Sequence, residues 1–411
     1  MMSVKARVLA VDSVFEGGRM FVGAVSVAYL LKLGYSPSVV SLLKMVQAIV
    51  VLLGEFPSGV ISDYFGRKRS LLFSVLAGVL GFSCFMHAGH LSVLVLGEAF
   101  LALSLCLWSG SYEAWALEVG EVKNGNIQEF FHTNGSLNQF AVLVCGLLGG
   151  FLAGEGGFYI HAYLAALLSL VFLFLFLLWM PDGSSRYGRE EMSASASVVN
   201  SLLLDARTSI SAVGNSKVLL ELTALAVAMQ FAVQPMLHYW QPLVAGVFGE
   251  SGMVFGFFFA VFCGGSALVS WIFRKTRVER MIGLVIVWTL GLSLVGVSEQ
   301  RVSVAISLVL AQVSYFFLRS IFNGHVAAHA PPEHRASVLS FVSLVSRGGM
   351  LAALLFTSLL LEFTYEGEEG MRLLYLVVPL IAAGGLLSAL LLGECKANLN
   401  KSLKTRGPEC N

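Results

Sequence analysis

The chain has 411 residues, 57% of them apolar and 12% charged, with a formal net charge of +1. Together with a mean hydropathy of +0.80, this excludes a string of soluble domains, and the lack of any basic block leaves no footprint for a nucleic-acid partner. Lipid is the solvent such a composition fits, so the few charges matter by placement rather than by sum.

A helix needs about 20 apolar residues to cross the hydrocarbon core, because unpaired backbone amides cannot be left in lipid. The apolar runs predict an all-α integral membrane protein with twelve transmembrane helices, near 10–32, 38–60, 70–88, 92–118, 133–153, 158–180, 218–245, 252–273, 280–298, 302–328, 336–363 and 371–393. Lys5 and Arg7 precede the first run as in a signal peptide. Asp12, Glu16 and Arg19 interrupt that run and no small-residue cleavage site follows, so it is expected to stay as the first helix. Six cysteines (Cys84, Cys106, Cys145, Cys263, Cys395, Cys410) form no CxxC and are read as unpaired thiols.

An even number of spans puts both termini on one side. If that side is the cytoplasm, its segments carry nineteen of the 26 lysines and arginines, whereas the external loops carry only Lys32, Arg301 and Arg372. The expected location is therefore a bacterial inner membrane with both termini cytoplasmic. The longest polar stretch, 181–217, carries Arg186, Arg189, Arg207 and Lys217. It reads as a cytoplasmic linker between a six-helix bundle at 1–180 and another at 218–393, with 394–411 as a cytoplasmic tail. A shift of 207 residues lays Arg67-Lys68 on Arg274-Lys275, as duplication of a half would.

Between the second and third spans the sequence reads Gly59-Val60-Ile61-Ser62-Asp63-Tyr64-Phe65-Gly66-Arg67-Lys68-Arg69, after Glu55-Phe56-Pro57-Ser58. Gly59 lets two helices approach, Asp63 can accept amides at the start of the third helix, and Gly66 permits a tight turn. Arg67 is placed for a carboxylate, for which Glu118 at the end of the fourth span is the candidate. The run resembles the signature loop G-x-x-x-D-x-x-G-R-R/K-R/K of the major facilitator superfamily, with the E-x-P-S/T-G extension of its exporter-like, drug:proton antiporter type members. The stretch 109–118, a glycine-rich fifth helix (Gly146, Gly149, Gly150, Gly154) and the stretch 335–340 extend the resemblance over nearly the whole chain. It implies two pseudo-symmetric bundles and a latch of Gly59, Asp63, Gly66, Arg67, Lys68 and Glu118 that holds the cytoplasmic side shut in the outward-open state. The matching second-half loop keeps Arg274-Lys275 but lacks the Asp and both glycines, so only the first-half latch is expected intact. The plainer role of Arg67, Lys68 and Arg69 is to fix topology.

The resemblance also implies that helices 1, 4, 7 and 10 line a central cavity. An ionisable residue inside a span is costly and is a functional candidate by default; those helices carry Glu16, Arg19, Glu113 and Arg319. Glu113 and Glu16 are read as proton-coupling residues, since a desolvated carboxyl can exchange its charge for a proton under the influence of Arg19 or Arg319. Static pairing of Glu16 with Arg19 and of Glu113 with Arg319 is the competing reading. Helix 7 adds Gln230, Gln234, His238 and Gln241 as one polar stripe, flanked by Tyr239 and Trp240, with a kink expected at Pro235. With Arg19 and Arg319 these form the candidate substrate site, suited to an organic molecule with apolar and hydrogen-bonding parts; simple helix packing is the alternative. Lys44, Glu98, Glu221 and Arg347 are further charges at or inside the spans.

His325 and His329 are four apart, with His334 beyond, a spacing that could hold a metal, but no cysteine or carboxylate cluster joins them; no metal and no cofactor is expected. The common hydrolase, P-loop and dinucleotide signatures are missing, so no enzyme is expected, and uphill transport must draw on an ion gradient. The expected function is proton-coupled alternating-access transport by a monomer whose partners are a small molecule, protons and the lipid bilayer. Efflux of a small amphipathic molecule or metabolite by antiport fits the extension motif. Import of an anionic compound, such as a carboxylate siderophore, by symport fits the cavity arginines, and a transporter-like sensor or scaffold fits the degenerate second loop.

Overall fold

The computed structural model describes residues 3–384 apart from 88, 110, 121–126, 155–156, 183–206, 208–209, 273–280, 332–334 and 364–368. Most of the expected linker, Lys123, the loop with Arg274-Lys275, His334 and the tail with Cys395 and Cys410 lie outside the described residues.

Every regular element among the described residues is a helix. In chain order these are α1 (Val4–Met20), α2 (Ser26–Lys32), α3 (Pro37–Phe65), α4 (Arg67–Met86), α5 (Leu91–Ser109), α6 (Tyr112–Val119), α7 (Ile127–Ala153), α8 (Ile160–Leu178), α9 (Lys217–Phe248), α10 (Gly252–Ile272), α11 (Met281–Val297), α12 (Arg301–His329) and α13 (Arg335–Phe363), followed by α14 over 369–384. Among the described residues 9 helices are long and apolar enough to cross a membrane. The remaining predicted passages are the first, split into α1 and α2, the ninth, whose apolar run Val285–Val297 is short, and the twelfth, described only as far as residue 384.

Helix starts follow local chemistry. Ser3, Ser36 and Ser216 accept from the amides of Ala6, Val39 and Leu219, and Pro37 occupies a first-turn position where no amide is needed. The signature loop shrinks to one residue: α3 runs to Phe65 and α4 starts at Arg67, with Gly66 between them at φ 94° and ψ 137°. That conformation is essentially closed to a residue with a Cβ, so glycine supplies the turn. The first span, expected as continuous, is broken at 21–25, and in the fourth α5 ends at Ser109 while α6 starts at Tyr112. The first break falls at the small residues Gly23-Ala24, and the second lies beside Ser109 and Ser111.

Successive passages alternate in direction, so the bundle has two ends. The N-terminus, the α3–α4 turn and Met180 share one end, the N-terminal face. The α2–α3 and α9–α10 turns share the other, the opposite face. Within the first half α4 packs on α5 and α8, α1 on α7 and α8, and α3 on α5; in the second, α9 packs on α13 and α12 on both α10 and α11. The halves meet mainly through α7 against α10 and α3 against α13. Glycine makes the first of these contacts close. A Cβ on Gly149 would overlap the Phe21 carbonyl at the break in the first passage, and one on Gly150 would overlap the backbone of Gly252 and Gly256. Leu53, Phe172, Phe257 and Ile306 are exposed, as side chains on lipid-facing surfaces are.

Candidate functional site

The broken first and fourth passages meet around a buried carboxylate. Asp12 on α1 accepts from Trp108 Nε1 at 2.7 Å on one oxygen and from Asn134 Nδ2 and Asn138 Nδ2, both at 2.6 Å, on the other. Ser13 donates to Asn138 Oδ1 at 3.0 Å, and the Tyr112 hydroxyl bridges the Val8 carbonyl and Asn134 Oδ1. The rings of Phe15 and Trp108 stack at 3.7 Å between centroids, and Trp108 stacks on Tyr112 at 5.6 Å. Each stacked pair adds about 0.5–1.5 kcal/mol beyond area burial. A buried carboxylate with three donors is fully satisfied, and it locks α1, α5, α6 and α7 together. Asp12 enters the sequence reading only as a charge interrupting a signal-like run; Asn134 and Asn138, four apart on one face of α7, are the signal that could have found its partners.

One turn beyond Asp12, Glu16 is half-buried within electrostatic reach of Arg19, whose guanidinium lies 5.3 Å above the Phe15 ring. Arg19 Nε is buried without a hydrogen-bond partner. Glu113 is exposed in the first turn of α6, where a carboxylate also complements the helix dipole. Arg319, on α12, is exposed and lies against Tyr315. No ion pair within 4.0 Å joins Glu113 to Arg319 or Glu16 to Arg19 among the described residues.

The stripe on α9 divides by depth. Gln234 is 1% exposed, donates to the Gln230 carbonyl at 3.0 Å and leaves its own Oε1 buried without a partner. Trp240 packs edge-on against Phe255 and Phe262 inside the second half. Tyr239 and Gln241 reach into the first half. Gln241 Oε1 accepts the Val27 and Ala28 amides, each at 2.9 Å, and its Nε2 donates to the Gly23 carbonyl at 3.1 Å. The break in the first passage frees those amides, and the side chain of Gln241 replaces the missing helix bonds. The Tyr239 hydroxyl donates to the Pro37 carbonyl at 2.7 Å. Helix α9 continues through Pro235, whose carbonyl accepts from Tyr375.

These contacts belong to a seal at the opposite face. Ser38 meets Ser358 at 2.9 Å and donates to Glu362, while Ser41 donates to the Leu354 carbonyl at 2.8 Å. Tyr159 donates to Glu250 at 2.9 Å, and the Gly252 amide donates to the Gly154 carbonyl. The hydrogen bonds named here between the two halves lie near this face.

At the N-terminal face, the polar contacts named here lie within the first half. Arg67 Nη1 donates to Glu118 Oε2 at 3.1 Å, with both side chains about three-quarters buried. Lys68 donates to the Met180 carbonyl at 2.6 Å and pairs with Asp182 at 2.8 Å, at the end of α8 where a cation suits the helix dipole. Gly59 and Asp63 lie in the last two turns of α3, and the Asp63 side chain is outside the described residues. His325 and His329 stack at 5.8 Å on α12.

A sequence profile of the Major Facilitator Superfamily matches residues 14–354. The chain is 25% identical over 264 residues to the uncharacterized MFS-type transporter YxaM of Bacillus subtilis (strain 168), an alignment covering 62% of each chain, so it spans about three-fifths of that relative. The crystal structure of the nucleoside transporter NupG is similar in fold, with a TM-score of 0.73 at 12% identity, covering 95% of this chain and 98% of that one. A bacterial homolog of the human lysosomal transporter Spinster, inward-facing and unoccupied, also gives 0.73 at 13% identity, covering 95% of this chain and 96% of its own. The chain belongs to the Major Facilitator Superfamily, and is a multi-pass membrane protein built on the plan of a transporter rather than of an enzyme.

Proposed function

We propose that this protein is a proton-coupled secondary transporter working by alternating access, with the halves 1–180 and 218–393 rocking about a central site and 181–217 as their cytoplasmic link. The observation that carries the reading is the one-sided seal: the bonds between described residues of the halves gather at the opposite face, while ionisable and polar groups of the first, fourth, seventh and tenth passages stand below it. With the N-terminus cytoplasmic, as the lysine and arginine distribution favours, this is an inward-facing arrangement in a bacterial inner membrane. Glu113, exposed at the start of α6, and Glu16 exchange protons. Arg19, Gln230, Gln234, His238 and Arg319 contact substrate, and Gln241, Tyr239 and Trp240 join them once the seal opens. Arg67, Lys68 and Glu118, with Gly59, Asp63 and Gly66, form the latch that serves the outward-open state. One chain holds a complete pathway, so a monomer suffices.

Efflux of a small amphipathic molecule by antiport follows from the exporter-like extension motif. The buried, unpartnered Arg19 Nε favours a second reading, symport of an anionic carboxylate compound. Liposomes with a pH-sensitive dye inside, an imposed proton gradient, and a panel of cationic amphiphiles and carboxylates separate the two by the sign of substrate-driven proton movement. Glu113→Gln is expected to abolish that movement. Wild-type behaviour in the variant would remove Glu113 from the mechanism, and a silent wild type across the panel would favour a sensor.

A further inference from the structure

Three charges on α1 share a stripe. Asp12, Glu16 and Arg19 stand at i, i+4 and i+7, which puts them on one side of the helix. The other side is pressed against the bundle: a Cβ on Gly17 would meet Ala141 of α7 at 2.9 Å, and one on Gly18 would overlap Ser169 of α8. Glu16 and Arg19 therefore project away from that packing. Asp12 has both oxygens filled by its three donors, so it has no place for a ligand. Its two neighbours on the stripe are open. No ion pair within 4.0 Å joins Glu16 to Arg19 among the described residues, and Arg19 Nε is buried without a partner.

That separation has a cause, because a glutamate and an arginine three apart on a helix ordinarily pair. Helical side chains lean toward the N-terminus, so Arg19 can reach either Glu16, three residues back, or Phe15, four back. It takes Phe15, with its guanidinium carbon 5.3 Å over the ring. The Trp108 ring lies parallel to the same phenyl, with 3.7 Å between centroids and 5° between planes, which fills one face and leaves the other to the guanidinium. The indole is itself fixed by its N–H bond to Asp12 and by stacking on Tyr112. A cation over an aromatic face in a desolvated place outweighs a helical i, i+3 ion pair. It engages the face of the guanidinium and leaves the N–H edge, where the donors are.

We propose that Phe15 and Trp108 are positioning residues that hold Arg19 off Glu16, so that these two open charges take the opposite ends of a zwitterionic substrate, its carboxylate on Arg19 and its ammonium on Glu16. A purely anionic ligand at Arg19 meets the charge of Glu16, which already lies within electrostatic reach of Asp12. A purely cationic ligand at Glu16 meets the charge of Arg19. A molecule carrying both charges satisfies both groups with charge-assisted hydrogen bonds, and either charge alone leaves one group unanswered. The inference rests on the substrate site proposed above and narrows its ligand. Its test measures binding alone, so it can fail while proton coupling stands, and the reverse.

Calorimetric binding to the purified full-length protein, at about pH 8 where carboxylates and ammonium groups are both charged, uses two matched sets of probes. One is phenylalanine, phenethylamine and phenylpropionate; the other is aminohexanoate, hexylamine and hexanoate. Each set keeps the skeleton and changes only the charges. Wild type is expected to bind a zwitterion at least about tenfold more tightly than either of its single-charge relatives. Arg19→Gln should shift the preference to the amine and Glu16→Gln to the carboxylate, reversals that the loss of a merely structural contact does not produce. Phe15→Leu and Phe15→Met, two ways of keeping bulk without a ring, should let Arg19 close on Glu16 and weaken zwitterion binding about tenfold. Phe15→Tyr, which keeps the ring, should rescue most of it. Wild type that binds neither zwitterion, or binds both no better than their relatives, would overturn the substrate class, as would charge variants that keep the wild-type preference. Ringless variants that bind as wild type does would overturn the positioning role.

Discussion

The two ends of this bundle are held by different chemistry. At the opposite face the halves are joined mainly by uncharged donors, Gln241, Tyr239, Ser38 and Ser41, bonding to backbone carbonyls, amides and one another, and by glycine-to-backbone packing of α7 on α10. Toward the N-terminal face the first half holds charged bonds of its own: Asp12 with its three donors, Arg67 with Glu118, and Lys68 with Asp182. A neutral hydrogen bond is worth about 0.5–1.5 kcal/mol net because water can replace it, so a seal of such bonds can part and re-form. A buried carboxylate with filled oxygens has no such exchange partner. The difference assigns motion to one set of contacts and rigidity to the other.

The largest expected effect comes from attacking the rigid set. Asp12→Ala leaves the donors of Trp108, Asn134 and Asn138 buried and unsatisfied, at roughly 1–3 kcal/mol each. The thermal midpoint of the purified protein should fall by many degrees with the seal still able to form; a midpoint within the error of wild type would mean that this network is not what holds α1, α5, α6 and α7. The next effect targets the mobile set. Gln241→Leu keeps the bulk and deletes three bonds across the interface. The shut state should lose about 1–3 kcal/mol, or roughly 5- to 150-fold in population, seen as faster cysteine labelling at the opposite face with little change in thermal midpoint. Unchanged labelling would show that packing of α7 on α10 alone closes this end.

Hydropathy makes the passages legible because a spanning helix has no alternative to burying its backbone bonds. The breaks in the first and fourth passages are not legible the same way, since Gly23 or Ser111 in an apolar run reads equally as close packing. Charge placement draws attention to Glu16, Arg19, Glu113 and Arg319, yet it passes over Asp12, whose partners are amides and an indole rather than countercharges. Gln241 lies on the polar stripe of helix 7, but its partners are backbone amides exposed by a helix break, and no residue letter announces those. Spacing can put Gln230, Gln234, His238 and Gln241 on one face; it cannot tell which of them faces a cavity and which crosses to the other half.

The smallest effect sharpens the comparison at its exposed edge. Lys68, hydrogen-bonded to Asp182 at 2.8 Å, holds that carboxyl below the ordinary aspartate range. A depressed carboxyl stabilises the folded state above its unfolded pKa of about 3.9 and loses that contribution as pH falls through the lower folded value. Asp182 is 85% exposed, so solvent screening leaves a few tenths of a kcal/mol at most. Asp182→Asn should therefore lower the thermal midpoint at about pH 7 by no more than about a degree, and even that small difference from wild type should vanish as pH falls below about 4. Lys68→Gln should cost more, because it also removes the bond to the Met180 carbonyl that ends α8. If Asp182→Asn were the more damaging change, an exposed ion pair rather than the buried Asp12 network would be holding the N-terminal end of the first half, and the division between rigid and exchangeable contacts would have to be redrawn.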